Sequence, residues 1–463
     1  MKARVLLNDI CDTTDMKLNA GDEMYTWAKE LFPLNRSLTG DGVRKTLAFV
    51  KSHLEDLKIH DVPSGTPAFD WVVPNEWSIN DGFISDLDGN KLIDFKVNNL
   101  HIMGYSSPIN KIVSRVELEP HLHSIPSQPE AIPYVTSYYT EDYGFCLTQN
   151  QRDSLGEGPF RISIDSELFP GNLTYGELFI PGESEQEILF STYICHPQLA
   201  NNEISGPVVA MGLANYIYSL PFRKYSYRFL FTVETIGSIY YISKHLEEMK
   251  KNILAGWVLT CMGDNRTYSY VPTRHGDSLT DQISRRVLKD IGEKYVEYSW
   301  LDRGSDERQY CSPGVDLPIG SLMRSKYGEY AEYHTSLDNL DVISSDGLQG
   351  GLEMLQRAVR ILEMNNHWQI NTKCEPQLGK RGLYPNTSTK SSGNEIRNQM
   401  NVISYLDGKH DLMQIADKCG ISFDEVMVIV EKLKLAELIE LHPLIWVDLQ
   451  CETSQVNQFL NNN

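Results

Sequence analysis

Residues 187–209, EILFSTYICHPQLANNEISGPVV, place an apolar run directly before His196 and a second apolar segment after Ser205. The first run is rich in β-branched and aromatic residues, which is typical of a buried parallel strand. A run of the same kind, YRFLFTV at residues 227–233, ends directly before Glu234. Ligands of open α/β sheets bind outside the carboxyl ends of the strands. We therefore expect His196 and Glu234 to face one crevice.

Strand and helix signals alternate around this stretch, as βαβ units require. Further strands are predicted at residues 255–262 and 317–322, and helices at residues 22–32, 41–57, 278–291 and 348–364, with another helix that contains Ile239, Tyr240, Ile242 and Leu246. Ser205 is predicted to cap the helix after His196, with Pro207 in its first turn. The fold class predicted is α/β, a mostly parallel sheet flanked by helices that spans residues 1–58 and 126–385.

Two segments depart from this alternation. Short β segments with turn residues fill residues 59–125 and predict a small inserted β-rich domain. A Ser/Thr/Gly/Asn-rich linker at residues 386–394 precedes helix, turn, helix and hairpin signals, which predict a winged-helix domain at residues 394–450. Its second helix, FDEVMVIVEKLK at residues 423–434, has three acids against two lysines. We therefore expect it to pack against protein rather than nucleic acid.

Composition excludes several classes of protein. The 463 residues are 41% hydrophobic and carry a formal charge of −20, which argues against binding to a phosphate backbone. The first residues lack the apolar core of a signal peptide, and no apolar stretch is long enough to span a membrane. The eight cysteines are scattered without a CxxC pair, as expected of reduced thiols. We expect a cytoplasmic protein.

A third group completes a candidate hydrolytic site. His334 lies in EYAEYHTSLDNLD, residues 329–341. Two imidazoles can hold zinc, and Glu234 can take a proton from a bound water as the general base. Partial burial at the strand end should raise the pKa of Glu234 toward the working range. The acids expected to orient the second nitrogen of His334 are Glu332, Asp338 and Asp341.

Each of these groups also has a structural interpretation. A histidine after a strand is often only hydrogen-bonded to protein, and Glu234 could cap the helix that follows it. Asp264 and Asp306 could be ordinary loop acids paired with nearby arginines.

The motifs together carry a family resemblance. STYICHPQLANNEISGPVV, FTVETIGS and EYHTSLDNLD resemble the zinc aminopeptidase superfamily, which has a strand-end His, an Asp-Asn-x-Ser-Gly loop, a Glu-Glu pair, an Asp after a strand and a late His before Thr. LFPLNRSLTGDGVRKTL, VPSGTPAFDWVVPNEW, PYVTSYYTEDYGFCL, VLTCMGDNRTYSY and GSDERQYCSPG are similar to the aminopeptidase-like proteins of polysaccharide-biosynthesis gene clusters. This resemblance spans nearly the whole chain. It implies a zinc-exopeptidase-like sheet with a β-rich insertion and a C-terminal winged helix.

The ligand set of the superfamily is incomplete in this chain. Asn202 stands where the superfamily has its bridging Asp, Thr235 replaces the second Glu, and Thr260 replaces the strand-end Asp. Two zinc ions close together need a shared anion, so we expect one ion rather than two, or none. The resemblance implies His196 and His334 as ligands, with Asn202 or Asp264 as the third.

The leading hypothesis is a metal-dependent aminopeptidase-like hydrolase of an amide or peptide bond, linked to polysaccharide biosynthesis. Its substrate would be a peptide or an amino-acylated small molecule, contacted by Tyr268, Arg303 or Arg308. The first alternative is a catalytically silent scaffold or binding protein, and the second is a transcription regulator with a peptidase-like sensor. The oligomeric state stays open, with the insertion and the acidic winged helix as candidate contacts in a homo-oligomer.

Overall fold

The computed structural model describes residues 20–383 and 390–442. The chain divides into two compact units, and the boundary lies between Glu363 and Met364. The β-rich segment is part of the first unit rather than a unit of its own.

The first unit contains the strands and helices that position the candidate site. Its strands are β1 (Lys58–Pro63), β2 (Pro67–Ala68), β3 (Trp71–Val72), β4 (Glu76–Ser85), β5 (Lys91–Asp94), β6 (Ile109–Val113), β7 (Leu122–His123), β8 (Phe145–Cys146), β9 (Phe160–Phe169), β10 (Asn172–Ile180), β11 (Glu187–Tyr193), β12 (Ser226–Thr232), β13 (Ile253–Val258), β14 (Tyr268–Val271), β15 (Tyr295–Glu297) and β16 (Ile319–Met323). Its helices are α1 (Ala20–Leu31), α2 (Asp41–His53), α3 (Arg115–Leu118), α4 (Gln149–Ser154), α5 (Ser205–Ser219), α6 (Ile236–Asn252), α7 (Leu279–Ile291), α8 (Glu307–Tyr310) and α9 (Ser345–Met364).

The main sheet has eight strands among the described residues, in the order β1-β10-β12-β11-β13-β16-β14-β15. The central strands β12, β11, β13 and β16 are parallel to one another. Antiparallel pairs flank them, β10 with β12 and β14 with β16. Every residue of β11 is buried, as expected of a strand covered on both faces. The mostly parallel sheet predicted from the sequence is confirmed.

A smaller antiparallel sheet has the order β5-β4-β9-β6. The alternating residues Phe160, Ile162 and Ile164 of β9 are buried in its core together with Ile84 of β4. The structure therefore differs from the expected insertion limits of 59–125, because β9 pairs with β4 across a long connection. Strand β1 lies at the start of the expected insertion but joins the main sheet by pairing with β10.

The second unit has the helix, turn and helix order of a winged helix. It contains β17 (His367–Ile370), α10 (Lys390–Tyr405), β18 (Asp407–Asp411), α11 (Leu412–Cys419), α12 (Phe423–Leu435) and β19 (Ile439–Leu441). Its sheet has the order β18-β17-β19, so the unit begins before the expected residue 394. Residues 386–389 of the predicted linker and the predicted hairpin beyond residue 442 lie outside the described residues. No helix in the described ranges combines the length and the apolar character that crossing a bilayer requires.

Candidate metal centre

The two strand-end groups leave the same edge of the main sheet. Strands β11 and β12 are parallel neighbours, with Tyr193 opposite Thr232 at their carboxyl ends. His196 and Glu234 follow within three residues of these ends. The result is a distance of 3.7 Å between Nε2 of His196 and Oε2 of Glu234.

His334 reaches the same place from the loop after β16. The amide of Tyr134 donates to the carbonyl of His334 at 2.9 Å, and Ser336 donates to Ile132 at 2.8 Å, so the loop is fixed to the chain around residue 133. The ring centroids of His196 and His334 are 5.4 Å apart. Two imidazoles bound tetrahedrally to one Zn²⁺ at about 2.1 Å have centroids about 5.3 Å apart. The centroid spacing of the two rings is therefore close to that of two imidazoles on one ion, although donor atoms of His196, Glu234 and His334 do not all lie within 4.8 Å of one another.

Glu203 fixes the other edge of His196. Its Oε2 lies 2.8 Å from Nδ1, and the side chains of both residues are almost completely buried. Arg36 lies 3.6 Å from Oε1 of Glu203 and donates to the carbonyl of His196 at 3.0 Å. Burial lowers the pKa of His196 to about 3, with Arg36 adding to the effect, so the ring is neutral. In the tautomer in which Nδ1 donates to Glu203, Nε2 presents its lone pair toward Glu234.

Neither Glu203 nor Arg36 was among the site residues predicted from the sequence. Burial raises the pKa of Glu203 to about 8, while the charge of Arg36 acts in the opposite direction. A cation bound at Nε2 would favour the arrangement in which Nδ1 carries the proton and Glu203 is the carboxylate.

A second group of possible metal ligands lies at Nδ1 of His196. Among the described residues, Cys195, His196 and Glu203 form the one set of His, Cys, Asp or Glu with donor atoms within 4.8 Å of one another. Burial raises the pKa of the Cys195 thiol well above its usual value. Because the thiolate is the metal-binding form, Cys195 is a poor ligand there. Its sulfur instead accepts a hydrogen bond from the amide of Glu234 at 3.2 Å.

Asn202 carries a buried acceptor without a partner. Its Nδ2 donates to the hydroxyl of Tyr193 at 3.0 Å, and its amide donates to Asp338 at 2.9 Å. No described group donates to Oδ1, although the side chain is 1% exposed. The ring of Tyr193 is 5.2 Å from that of His196, so one side chain separates the amide from the imidazole. A buried unpaired oxygen fits a cation ligand.

Asp264, predicted as an alternative ligand, has no free oxygen. Oδ1 accepts from the amide of Arg266 at 2.9 Å and from Oγ of Ser325 at 2.8 Å. Oδ2 accepts from Nδ2 of Asn201 at 3.0 Å and from the amide of Ser325 at 2.9 Å. Four hydrogen bonds satisfy the carboxylate, which ties two loops together, so the structure does not support Asp264 as a ligand.

The acids predicted to orient His334 also have other partners. Asp338 accepts from the amides of Asn201 and Asn202 at 2.7 and 2.9 Å, which fixes the loop after His196. Glu332 forms a two-bond pair with Arg266, each bond 2.8 Å long. Among the described residues Asp341 forms no hydrogen bond or ion pair with His334. The prediction that these acids orient His334 is wrong, because they brace neighbouring loops.

His334 instead lies between aromatic rings. Tyr333 stacks on it with the ring centroids 3.9 Å apart, and Tyr134 lies edge-on to it at 5.1 Å. The ring of Tyr134 is also 5.0 Å from that of His196. Burial lowers the pKa of His334 to about 3, helped by His196. No described residue hydrogen-bonds to either of its ring nitrogens. A neutral imidazole with unpaired nitrogens is available to a metal ion. Tyr134 was not predicted, although the tyrosine-rich segment PYVTSYYTEDYGF was the available signal.

Glu234 begins a strained turn. Thr235 has φ 66° and ψ −80°, and the amide of Ile236 donates back to the carbonyl of Glu234 at 2.9 Å, which is a γ-turn. Asp306 holds this turn by accepting from the amide of Thr235 at 2.8 Å and from Ser238 at 2.9 Å. Asp306 therefore serves the start of α6, and the interpretation of Glu234 as its cap is wrong. A non-glycine residue in such a conformation costs about 1–3 kcal/mol, and here it places Glu234 beside His196.

Burial and the neighbouring Asp306 raise the pKa of Glu234 to about 8, while Arg308 acts in the opposite direction. Arg308 donates to Oγ1 of Thr235 at 2.7 Å and therefore lies beside Glu234. The other two predicted substrate contacts lie elsewhere. Arg303 is exposed and stacks on Trp300 at 4.9 Å, and Tyr268 packs under Arg324 at 3.8 Å.

Neutral groups occupy the predicted positions of the missing carboxylates. Oγ1 of Thr260 donates to the carbonyl of Asn202 at 2.9 Å and lies 2.6 Å from the hydroxyl of Tyr193. Thr235 accepts from Arg308. These positions offer hydroxyls that are already hydrogen-bonded, so a second ion would lack ligands.

Comparisons with known proteins agree with this architecture. The model of a domain of unknown function, DUF4910, matches residues 25–365, and that of a winged helix-turn-helix matches residues 366–441. A protein of Clostridium acetobutylicum, named as a polysaccharide biosynthesis protein with an aminopeptidase-like domain, is 45% identical over 91% of this chain and 96% of its own.

Two solved structures show the same fold. A crystal structure described as a peptidase from Clostridium acetobutylicum has a TM-score of 0.86 and 43% identity, and the match covers 94% of this chain and 99% of that one. A zinc aminopeptidase from Bacillus subtilis has a TM-score of 0.53 and 14% identity, over 74% of this chain and 94% of that one. The second likeness concerns the fold alone.

Proposed function

This chain belongs to the family of the domain of unknown function DUF4910, and we propose that it is a metal-dependent hydrolase of an amide or peptide bond that acts in polysaccharide biosynthesis. The biological setting rests on the name of the relative from Clostridium acetobutylicum. The chemistry rests on the arrangement of His196, Glu234 and His334.

One divalent cation fits the residues present. Nε2 of His196 and a ring nitrogen of His334 would hold it, since neither has a hydrogen-bond partner among the described residues. Oδ1 of Asn202, buried without a partner, would be the third ligand on condition that the side chain of Tyr193, which lies between it and His196, moves aside. Zinc accepts such nitrogen and oxygen ligands and keeps a position open in hydrolytic sites. The hydroxyls of Thr235 and Thr260 support one ion rather than two. Zn²⁺ held there would supply Lewis acidity and lower the pKa of a bound water.

The residues of the chain supply the proton transfers. Glu234 accepts a proton from the attacking water, whose oxygen forms a bond to the carbonyl carbon of the substrate. The C–N bond then breaks, and Glu234 passes the same proton to the leaving nitrogen. Its pKa of about 8 suits a group that must both take and return a proton near neutral pH.

The observation that carries the proposal is that the two ring nitrogens of His196 have different surroundings. Nδ1 is hydrogen-bonded to buried Glu203, while Nε2 stays unpaired 3.7 Å from Glu234. The hydrogen bond to Nδ1 fixes the orientation of the ring and leaves Nε2 available to a metal ion.

The direct test combines metal analysis with a Glu234→Gln variant. We expect purified protein supplemented with Zn²⁺ to bind one equivalent, and the variant to bind it equally well. The variant should lose hydrolysis of a peptide library while its thermal unfolding stays close to that of the unaltered protein. Unchanged turnover in the variant would remove Glu234 as the base.

The hydrogen-bonded network of Tyr193, Thr260 and Asn202 favours a second candidate, a catalytically silent scaffold. Metal binding separates the two functions. Protein that gains no thermal stability from Zn²⁺ is the result expected of the scaffold, because a ligand of the native state must stabilise it.

A further inference from the structure

Arg308 is an arginine without an ion pair beside two buried acids. It donates to the neutral hydroxyl of Thr235, and its Nε is buried without an acceptor. Within residues 20–383 and 390–442, no carboxylate pairs with it inside 4.0 Å. The side chain is only partly buried, so the rest of its guanidinium is open to a ligand. Arginines are seldom held beside a catalytic base with their donors unused.

The carboxylates around Arg308 form hydrogen bonds with other groups. Asp306 is 1% exposed and uses Oδ1 to hold the γ-turn, while its Oδ2 is buried without a hydrogen-bond partner and is closed to solvent. Glu307 accepts from the amide of Gly304 at 2.9 Å, the hydroxyl of Tyr327 at 2.5 Å and Ser321 at 3.1 Å. Only Glu234 retains an exposed fraction, 21% of its side chain, and it is the proposed base. The charged group offered to a substrate is therefore a cation.

We propose that Arg308 binds a carboxylate of the substrate next to the scissile amide. The preferred substrates are then N-acylated amino acids or peptides cleaved beside their carboxyl terminus, rather than chains with a free amino terminus. An ammonium group would be repelled by Arg308, and the one partly exposed acid beside it, Glu234, is the proposed base, since Asp306 is 1% exposed. This inference rests on the proposed hydrolytic function and specifies its substrate class.

The geometry suits a carboxylate in particular. A guanidinium presents a planar fork that matches the two oxygens of a carboxylate. Because Arg308 is anchored on Thr235, the residue after Glu234, a carboxylate bound there lies next to the general base. A phosphate dianion fits less well, since one arginine would face it together with Glu234 and Asp306. Charge-assisted hydrogen bonds of this kind are worth about 10- to 100-fold in binding.

The experiment uses the full chain loaded with zinc and three compounds. N-acetyl-L-alanine carries the carboxylate, N-acetyl-L-alanine amide lacks it, and L-alanyl-L-alanine amide has a free amino terminus instead. Release of acetate or alanine gives kcat/KM for each. We expect the first compound to exceed the other two by about 10- to 100-fold.

Two variants locate the effect. Arg308→Gln should abolish the preference, mainly through KM, and Arg308→Lys should restore part of it. Arg303→Gln is the matched control, because it removes the same charge from an exposed residue that stacks on Trp300. It should leave the preference intact.

A binding measurement separates this inference from the proposed function. Calorimetry with N-acetyl-L-alanine and its amide reports recognition without turnover. If the acid binds at least tenfold more tightly than the amide and only Arg308→Gln removes the difference, the inference holds even when nothing is hydrolysed. Turnover with a preference for L-alanyl-L-alanine amide, or equal binding of acid and amide, would overturn the inference and leave the hydrolase intact.

Discussion

Substituting Glu203 tests whether a buried carboxylate prepares His196 for a metal ion. Glu203→Gln keeps the shape of the side chain and an acceptor for Nδ1 at 2.8 Å, but removes the negative charge. Since burial already raises the pKa of Glu203 to about 8, a neutral amide should be tolerated by the fold. Carboxylates that hold a metal-binding histidine are worth about 10- to 100-fold in metal affinity.

This factor can be expressed as stability. It corresponds to a loss of about 1.4–2.7 kcal/mol of binding free energy. With zinc in excess, the free energy of unfolding of the zinc-bound protein falls by the same amount. For a unit of this size the zinc-induced rise in Tm should be smaller by about 2–4 °C. Calorimetry against a competing chelator gives the affinity, and melting curves with and without Zn²⁺ give the stability.

Glu363→Gln is the matched control. Glu363 is also a buried carboxyl whose pKa burial raises, and it accepts hydrogen bonds from the amide of Lys224 at 2.6 Å and the hydroxyl of Tyr227 at 2.5 Å. We expect this variant to lose stability in the metal-free state and to keep its full response to zinc. The reasoning is refuted if Glu203→Gln binds zinc within twofold of the unaltered protein, or if both variants lose zinc to the same extent.

Three further outcomes follow from the structure. Burial lowers the pKa of His334 from 6.5 to about 3, so the contribution of this group to the stability of metal-free protein should be lost as pH falls below 6.5, by about 1.4 kcal/mol per pH unit. Glu203 and Glu234, whose pKa values burial raises to about 8, act in the opposite direction, so the measurement is the difference between the melts of the unaltered protein and of His334→Gln from about pH 7.5 to pH 5, in which only the His334 contribution is removed. Gly42→Ala should reduce both stability and zinc affinity, because its Cβ would lie 1.9 Å from the carbonyl of Asn35 and 3.0 Å from Cα of Arg36, whereas Gly156→Ala meets nothing within 4 Å; equal Tm values for the two variants would contradict this. The full chain should not bind duplex DNA at low salt, since Asp424, Glu425 and Glu431 offset the lysines of α12, and salt-sensitive binding in an anisotropy titration would show otherwise.

The main sheet was predictable because its signals are local. The apolar runs before His196 and Glu234 are continuous, as buried parallel strands require, and both strands lie within two residues of the predicted limits. Helix α12, Phe423–Leu435, also agrees with its expected span. The insertion was harder to delimit, because β9 completes its sheet from a position far along the chain.

The surroundings of the candidate site depended on contacts that no spacing encodes. Residues Ala200–Ile204 form a π-helical turn, so the relation between Glu203 and His196 follows no ordinary helical period. The turn runs directly into α5, so Ser205 is not the N-cap predicted. Its hydroxyl donates instead to Asn201 at 2.5 Å and accepts from Met262 at 2.8 Å. Pairings between loops, such as Asp338 with Asn201, are likewise invisible to periodicity.

The hydroxyl and amide network of Tyr193, Thr260 and Asn202 would make a one-ion site hard to convert to a two-ion site by single substitutions. Thr260→Asp alone would place a carboxylate at a position with 0% exposure, against the carbonyl of Asn202. Such a charge costs several kcal/mol unless a cation arrives with it. Asn202→Asp or Thr235→Glu alone would leave a second ion equally short of anions. A dinuclear descendant would therefore need concerted replacement of these residues, and intermediates along that route would be selected against for instability before they gained any new chemistry.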